Sequence, residues 1–140
     1  MKKLHAILAS VTFAALAATA HADVVVVMST KSTVDTLTKD QVSDIFLGKA
    51  ATFPQGGQAV PIDLAPGAMN RDQFYTKVTG RTAVQLKSYW AKQSFSGKGT
   101  APKAVAGDDE VKKLIAANPN TIGYIDKSRV DSTVKVVFEP

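Results

Sequence analysis

The chain has no cysteine, and its only histidines, His5 and His21, lie within the first 22 residues. Residues 23–140 therefore lack the commonest zinc ligands, the thiol nucleophile and the side chain that usually acts as a general base near neutral pH. Without cysteine no disulfide can form, so the stability of the domain must come from packing. These absences argue against an enzyme or a metalloprotein, and we expect no catalytic residue, no cofactor and no metal site.

The first 22 residues have the three parts of a secretory signal peptide. Lys2 and Lys3 give a positive start, an apolar run follows, and Ala20–Ala22 supplies small residues before a cleavage site. The apolar run is about 15 residues, shorter than the roughly 20 that span a bilayer. We expect cleavage after Ala22, export to the periplasm and no stable insertion of residues 23–140 in the membrane. An uncleaved membrane anchor is the alternative.

The charge of residues 23–140 is mildly positive. Removing Lys2 and Lys3 from the 17 basic residues of the chain leaves 15, against 12 acidic residues. This excess suits an anionic ligand, but it is too small and too scattered to predict nucleic acid binding. The length is sufficient for one hydrophobic core, and no repeat or linker divides it. We therefore predict a single domain over residues 23–140.

Hydrophobic periodicity predicts strands that alternate with helices. Short apolar runs rich in β-branched residues predict four strands, at 24–28, 59–64, 121–125 and 133–138. The first run has no polar residue, which is typical of a strand buried on both faces. This alternation predicts an α/β domain with a mainly parallel sheet flanked by helices.

Two of the predicted helices start with the signature of a capping box. Thr38 precedes Gln41 by three residues, and Thr82 precedes Gln85 in the same way. Gly48 predicts the end of the first of these helices because glycine readily adopts the left-handed conformation. Two further helices are expected, one beginning near residue 68 and one near residue 108.

Two groups of side chains that could bind a ligand have simpler structural explanations. The acidic run Asp108–Glu110 could hold a metal, but acids in the first turn of a helix also complement its dipole. Tyr89 and Trp90 could form a platform for a ligand, but their spacing within a helical pattern favours a place in the core.

The strongest candidate for a binding site is the strand, loop and helix start from Asp63 to Arg71. Ligands of open α/β sheets collect beyond the carboxyl ends of the strands, and a helix start offers free N–H groups to an anion. Gly67 would let the backbone approach such a ligand, and Arg71 could bind an oxyanion bidentately. The alternative is an ordinary Pro-Gly turn with Asn70 and Arg71 in solvent. The predicted site comprises Asp63, Gly67, Ala68, Met69, Asn70 and Arg71.

Two other polar segments are weaker candidates for anion binding. Ser29, Thr30 and Ser32 follow the first predicted strand and could offer hydroxyl groups. Lys98 lies between two glycines in a basic stretch that lacks the spacing of a nucleotide phosphate loop. An ordinary polar loop explains the first segment, and a mobile basic loop explains the second.

Two segments resemble the periplasmic phosphate-binding proteins, the substrate-binding subunits of phosphate ABC transporters. Leu37–Lys49 is similar to the L-T-x-x-Q-[LV]-x-x-I-F-x-G-K segment of that family, and Asn118–Ile125 to its N-P-G-A-I-G-Y-V segment. The resemblance spans residues 24–137 and includes short, single-lobe relatives. It implies one lobe of a type II periplasmic-binding fold, phosphate or a similar small anion as ligand, and a membrane transporter or sensor as partner.

The sequence also departs from that family in two respects. Residues 23–140 suffice for only one of two lobes, and Ala68 stands where a serine of the phosphate loop would be expected. Two hypotheses therefore remain. The first is an exported, non-catalytic protein that binds a small oxyanion. The second is a ligand-free module for protein–protein interaction or sensing that keeps the fold.

Overall fold

The computed structural model describes residues 23–140, and the predicted signal peptide lies outside the described residues. The strands are β1 (Val24–Ser29), β2 (Val60–Leu64), β3 (Lys103–Val105), β4 (Thr121–Asp126) and β5 (Val134–Phe138). The helices are α1 (Lys39–Phe46), α2 (Met69–Thr79), α3 (Ala83–Phe95) and α4 (Asp108–Ala117), followed by a short 3-10 turn at Lys127–Arg129. The predicted α/β class, with a mainly parallel sheet flanked by helices, is confirmed.

The five strands form one sheet in the order β3-β2-β4-β1-β5. The β2 strand pairs in parallel with β3 and β4, whereas β1 pairs antiparallel with β4 and β5. Four strands thus run in one direction and β1 runs in the other. The carboxyl ends of β2, β3 and β4 meet at one edge of the sheet, and β1 ends at the opposite edge.

The β1 strand is buried over its whole length. Val24–Met28 is at most 3% exposed, because the strand lies inside the sheet and helices cover both faces. The sequence predicts this environment from the absence of polar residues in the run. It does not reveal the direction of β1, because side-chain burial is the same for a parallel and an antiparallel central strand.

Local signals fix the starts of α1 and α3. In both capping boxes, the threonine hydroxyl accepts the N–H of the glutamine, and the glutamine side chain accepts the N–H of the threonine. Gly48 follows α1 with a φ of 71°, as predicted for a left-handed helix end.

Helices cover the two faces of the sheet differently. The α4 helix packs on the face where Gly123 of β4 lies against Val111 and Ile115. On the other face, Tyr124 stacks on Phe74 of α2, with ring centroids 4.0 Å apart, and Phe46 of α1 packs edge-on to both rings. Tyr124 links this aromatic cluster to the predicted binding segment, because its hydroxyl contacts Asp63 and the N–H of Leu64.

The β3 strand is the element that the sequence analysis misses. It has three residues, and Lys103 and Ala104 are exposed at the edge of the sheet. A run this short with little burial carries no hydrophobic period, so only its pairing with β2 defines it as a strand.

None of the helices in residues 23–140 is long and apolar enough to cross a membrane.

We predict that Gly123→Ala destabilises the fold by about 1–3 kcal/mol, because a Cβ at this position would lie 2.5 Å from Cγ1 of Val111. Val111 has a stiff, β-branched side chain on α4 and cannot turn away freely. Chemical denaturation measures the change. The matched control is Gly99→Ala, whose added methyl group would meet only the Trp90 ring at 4.0 Å. Equal stability of the two variants would contradict the close packing of α4 on β4.

Candidate anion-binding site

A buried carboxylate organises the base of the site. Asp63 is the fourth residue of β2 and is 3% exposed. Its Oδ1 accepts the N–H of Leu64 at 2.8 Å and the hydroxyl of Tyr124. Its Oδ2 accepts the hydroxyl of Tyr75 at 2.8 Å and faces Nε of Arg71 at 3.4 Å. Four donors from the chain itself occupy this carboxylate, so Asp63 holds other groups in place and does not face a ligand.

The two tyrosines that bind Asp63 remain protonated well beyond neutral pH. Burial is the main cause that raises the pKa of Tyr75 and of Tyr124 far above the usual value of 10.0. The negative charge of Asp63 raises both pKa values further, because an ionised phenol beside a carboxylate would be repelled. Both hydroxyl groups are therefore permanent donors to Asp63.

Arg71 is held on one side and free on the other. Its side chain is 12% exposed, with Nε directed at Asp63 and the guanidinium carbon 5.3 Å from the centre of the Tyr75 ring. Among residues 23–140, neither terminal nitrogen of this guanidinium has a hydrogen-bond acceptor. A fixed cation with unused donors can bind an oxyanion with little loss of side-chain entropy.

The first turn of α2 also has unused donors. Ala68 is the N-cap residue and provides no side-chain hydrogen bond, as expected from its methyl group. Within the described part of the chain, the N–H groups of Met69 and Asn70 have no acceptor. The positive end of the helix dipole therefore remains available to an anion.

The predicted site residues face two different cavities. Gly67 and Arg71 line one cavity of about 460 Å³, which we call the Arg71 cavity. Its other lining residues are Pro66, Ala83, Val84, Lys87, Trp90 and Ala101. Ala68, Met69 and Asn70 instead line a groove of about 750 Å³ between the starts of α2 and α4, which we call the interhelical groove.

The two cavities differ in charge. Four carboxylates and one cation, Arg129, line the interhelical groove, so its net charge is negative. Arg129 forms an ion pair with Asp109. The pKa of Asp126 is lowered mainly by the hydroxyl and then by the N–H of Ser128, so this carboxylate is charged at neutral pH. The Arg71 cavity contains Arg71 and Lys87 and no carboxylate among its lining residues. An anion is therefore favoured on the Arg71 side of the α2 start.

The acidic run at the start of α4 binds groups of the protein itself. Asp108 accepts the N–H of Asp126 at 3.2 Å, and Glu110 accepts the N–H of Ala106 at 3.4 Å. Over residues 23–140, no group of three or more histidine, cysteine or acidic side chains has the geometry to hold a metal ion.

The weaker candidates do not join this site. Because β1 runs antiparallel to its neighbours, Ser29, Thr30 and Ser32 lie at the opposite edge of the sheet from Arg71. The hydroxyls of Ser29 and Ser32 accept the N–H groups of Lys31 and Val34 in local turns. Lys98 follows α3 with an exposed side chain and is absent from the lining of the Arg71 cavity.

Sequence reasoning missed the roles of Tyr75, Tyr124 and Lys87 in the site, and for Trp90 it favoured a place in the core over a ligand platform. Tyr75 and Tyr124 bind Asp63, while Lys87 and Trp90 form part of the cavity wall. One signal was present for the tyrosines, since a lone aspartate inside an apolar strand requires buried donors. Trp90 is buried, as its helical spacing predicts, and its part in the cavity wall depends on packing that spacing does not encode.

Solved structures that resemble this chain include phosphate-transport proteins. One, from Clostridium perfringens, is described as a phosphate ABC transporter substrate-binding protein with bound phosphate; it is 26% identical, with a TM-score of 0.66. Another, an ABC-type phosphate transport receptor from Vibrio cholerae, is 17% identical with a TM-score of 0.62 and shows the fold alone. The resemblance predicted from the sequence segments is confirmed for the fold.

The likeness covers most of this chain but less than half of those proteins. It includes 82% of this chain in both comparisons, against 44% of the Clostridium protein and 45% of the Vibrio protein. No family profile matches the chain, and no curated protein matches it. The comparisons therefore show a fold of the periplasmic-binding type. They do not identify a ligand for this chain, so the choice of ligand depends on the geometry of the site.

We predict that the free energy of unfolding falls as the pH rises above about 10. The unfolded chain releases its tyrosine protons there while Tyr75 and Tyr124 keep theirs in the fold, so deprotonation favours the unfolded state. Each tyrosine contributes a slope of up to about 1.4 kcal/mol per pH unit. Chemical denaturation from about pH 9 to 11 measures the slope. Tyr124→Phe should give a shallower slope than the unmodified chain, and identical slopes would contradict the prediction.

Proposed function

We propose that this protein is an exported binding protein for a small oxyanion such as phosphate, and that it binds without catalysing a reaction. Two sets of unused donors in the first turn of α2 carry the proposal, and the Arg71 cavity, which has no carboxylate in its lining, is the more favourable side for an anion. The N–H groups of Met69 and Asn70 lack acceptors among residues 23–140, and so do the terminal nitrogens of Arg71. A fold neighbour described with bound phosphate supports the choice of ligand.

The charges around Arg71 indicate weak or moderate affinity. Asp63 already neutralises much of the charge on the guanidinium, and the carboxylates of the interhelical groove lie on the other side of the helix start. The affinity then comes mainly from hydrogen bonds to the bound anion and from the helix dipole. Such a protein would serve uptake or sensing in the periplasm, with a membrane transporter or sensor as its partner.

One observation favours the alternative, a docking module without a small ligand. Met69 and Val84, at the rims of the two cavities, are 67% and 76% exposed. Large apolar side chains in water beside a cavity are typical of contacts with another protein. Isothermal titration of the unmodified chain with phosphate and with sulfate separates the two functions. Heat of binding at millimolar anion supports the first, and its absence supports docking alone.

We expect Arg71→Lys to weaken phosphate binding about tenfold, because lysine keeps the charge but loses the planar pair of N–H donors. Isothermal titration measures the change. The matched control is Arg81→Lys, which alters an arginine stacked 4.5 Å from the centre of the Tyr89 ring and absent from the lining of both cavities. If both variants bind phosphate as the unmodified chain does, Arg71 has no part in binding.

A second substitution tests the backbone donors alone. Met69 is the first residue of α2, where proline fits the helix, and Ala68 before it has the extended φ of −67° and ψ of 129° that a following proline requires. Met69→Pro therefore deletes one N–H group and should preserve the fold. We expect it to weaken phosphate binding several-fold, while Met69→Ala, which removes only the exposed side chain, leaves binding unchanged. Equal binding by both variants would exclude the N–H group of Met69 as a donor to the anion.

A further inference from the structure

The Arg71 cavity is mostly apolar, and this is unexpected for a site that binds a free inorganic anion. Trp90, Val84 and Pro66 contribute apolar surface to its wall, together with two alanines. The cations at its edge are Arg71 and Lys87. Inorganic phosphate would fill only part of about 460 Å³ and would leave the apolar wall in contact with water.

The segment of the chain that supplies most of the cavity wall is cationic as well. Between Gln73 and Gly107 the chain has no aspartate or glutamate, and it has six basic residues: Lys77, Arg81, Lys87, Lys92, Lys98 and Lys103. Lys87 forms no ion pair among the described residues. A ligand of the cavity therefore meets positive charge at the Arg71 end and an apolar surface beyond it.

We propose that the ligand is an organic phosphate monoester with a small aromatic or aliphatic group. The phosphate contacts the terminal nitrogens of Arg71, and the apolar group lies along Trp90 in the Arg71 cavity. This inference rests on the proposed function, because it uses the same anion site, and it adds the chemical class of the ligand. Gly67 borders the cavity with a φ of 92°, so the turn leaves the cavity mouth without a side chain at this position.

Phenyl phosphate is the probe that tests the proposal, with inorganic phosphate and benzyl alcohol as comparisons. We expect phenyl phosphate to bind about tenfold more tightly than inorganic phosphate, because its ring buries apolar surface. Trp90 is the only tryptophan in the chain, so its fluorescence should change when the ring binds. Benzyl alcohol at the same concentrations should cause no such change, because it lacks the anionic group.

Two matched pairs of variants locate the ligand. Ala101→Phe should fill the cavity and abolish the preference for phenyl phosphate while inorganic phosphate still binds, whereas Ala91→Phe, on an exposed part of α3 outside the cavity, should keep the preference. Lys87→Ala should weaken phenyl phosphate several-fold, and Lys92→Ala, which is also on α3 but does not line the cavity, should change it less than twofold.

The outcomes separate this inference from the proposed function. If inorganic phosphate binds and phenyl phosphate binds no better, the organic group has no site and this inference is wrong, while the proposed function stands. If neither anion binds, both are wrong. If Ala101→Phe and Ala91→Phe keep the same preference, the ring lies outside the Arg71 cavity and the inference is overturned.

Discussion

The buried carboxylate of Asp63 is the interaction on which the site depends. A charge that is 3% exposed must be compensated, and here Tyr75, Tyr124 and Arg71 all direct donors at it. These donors come from α2 and β4, so one side chain ties together β2, the helix that follows it and the neighbouring strand. The same contacts fix Arg71 at the start of α2, and the position of the unused guanidinium nitrogens follows from them.

The two cavities at the start of α2 differ in charge because acidic residues line only one of them. The acidic residues at the start of α4 complement its dipole and accept loop N–H groups, but they also make the interhelical groove negative. The α2 start has Asp72 in its first turn but no side-chain cap. An anion thus encounters attraction at α2 and repulsion at α4, although both helix starts border the same groove.

Local sequence signals predict the parts of the fold that form within a few residues. The capping boxes of Thr38 and Thr82 and the left-handed Gly48 are correct because each depends on neighbours in sequence. The direction of β1 and the existence of β3 depend on pairing with distant strands, which a local pattern does not encode. The same limit applies to the site: its loop is contiguous in sequence, while Tyr124 lies 61 residues from Asp63. That these residues bind an anion remains a prediction.

The methyl side chain of the N-cap residue Ala68 and the apolar cavity beside Arg71 fit one explanation. The described residues offer the anion few hydroxyl donors, and hydrogen bonds to it give only weak or moderate affinity because water would make them equally well. Burial of apolar surface does not have this competition and contributes about 25 cal/mol per Å². A ligand that combines a phosphate with an apolar group would use both the fixed guanidinium and the Trp90 wall. Specificity would then come from the cavity and orientation from the anion.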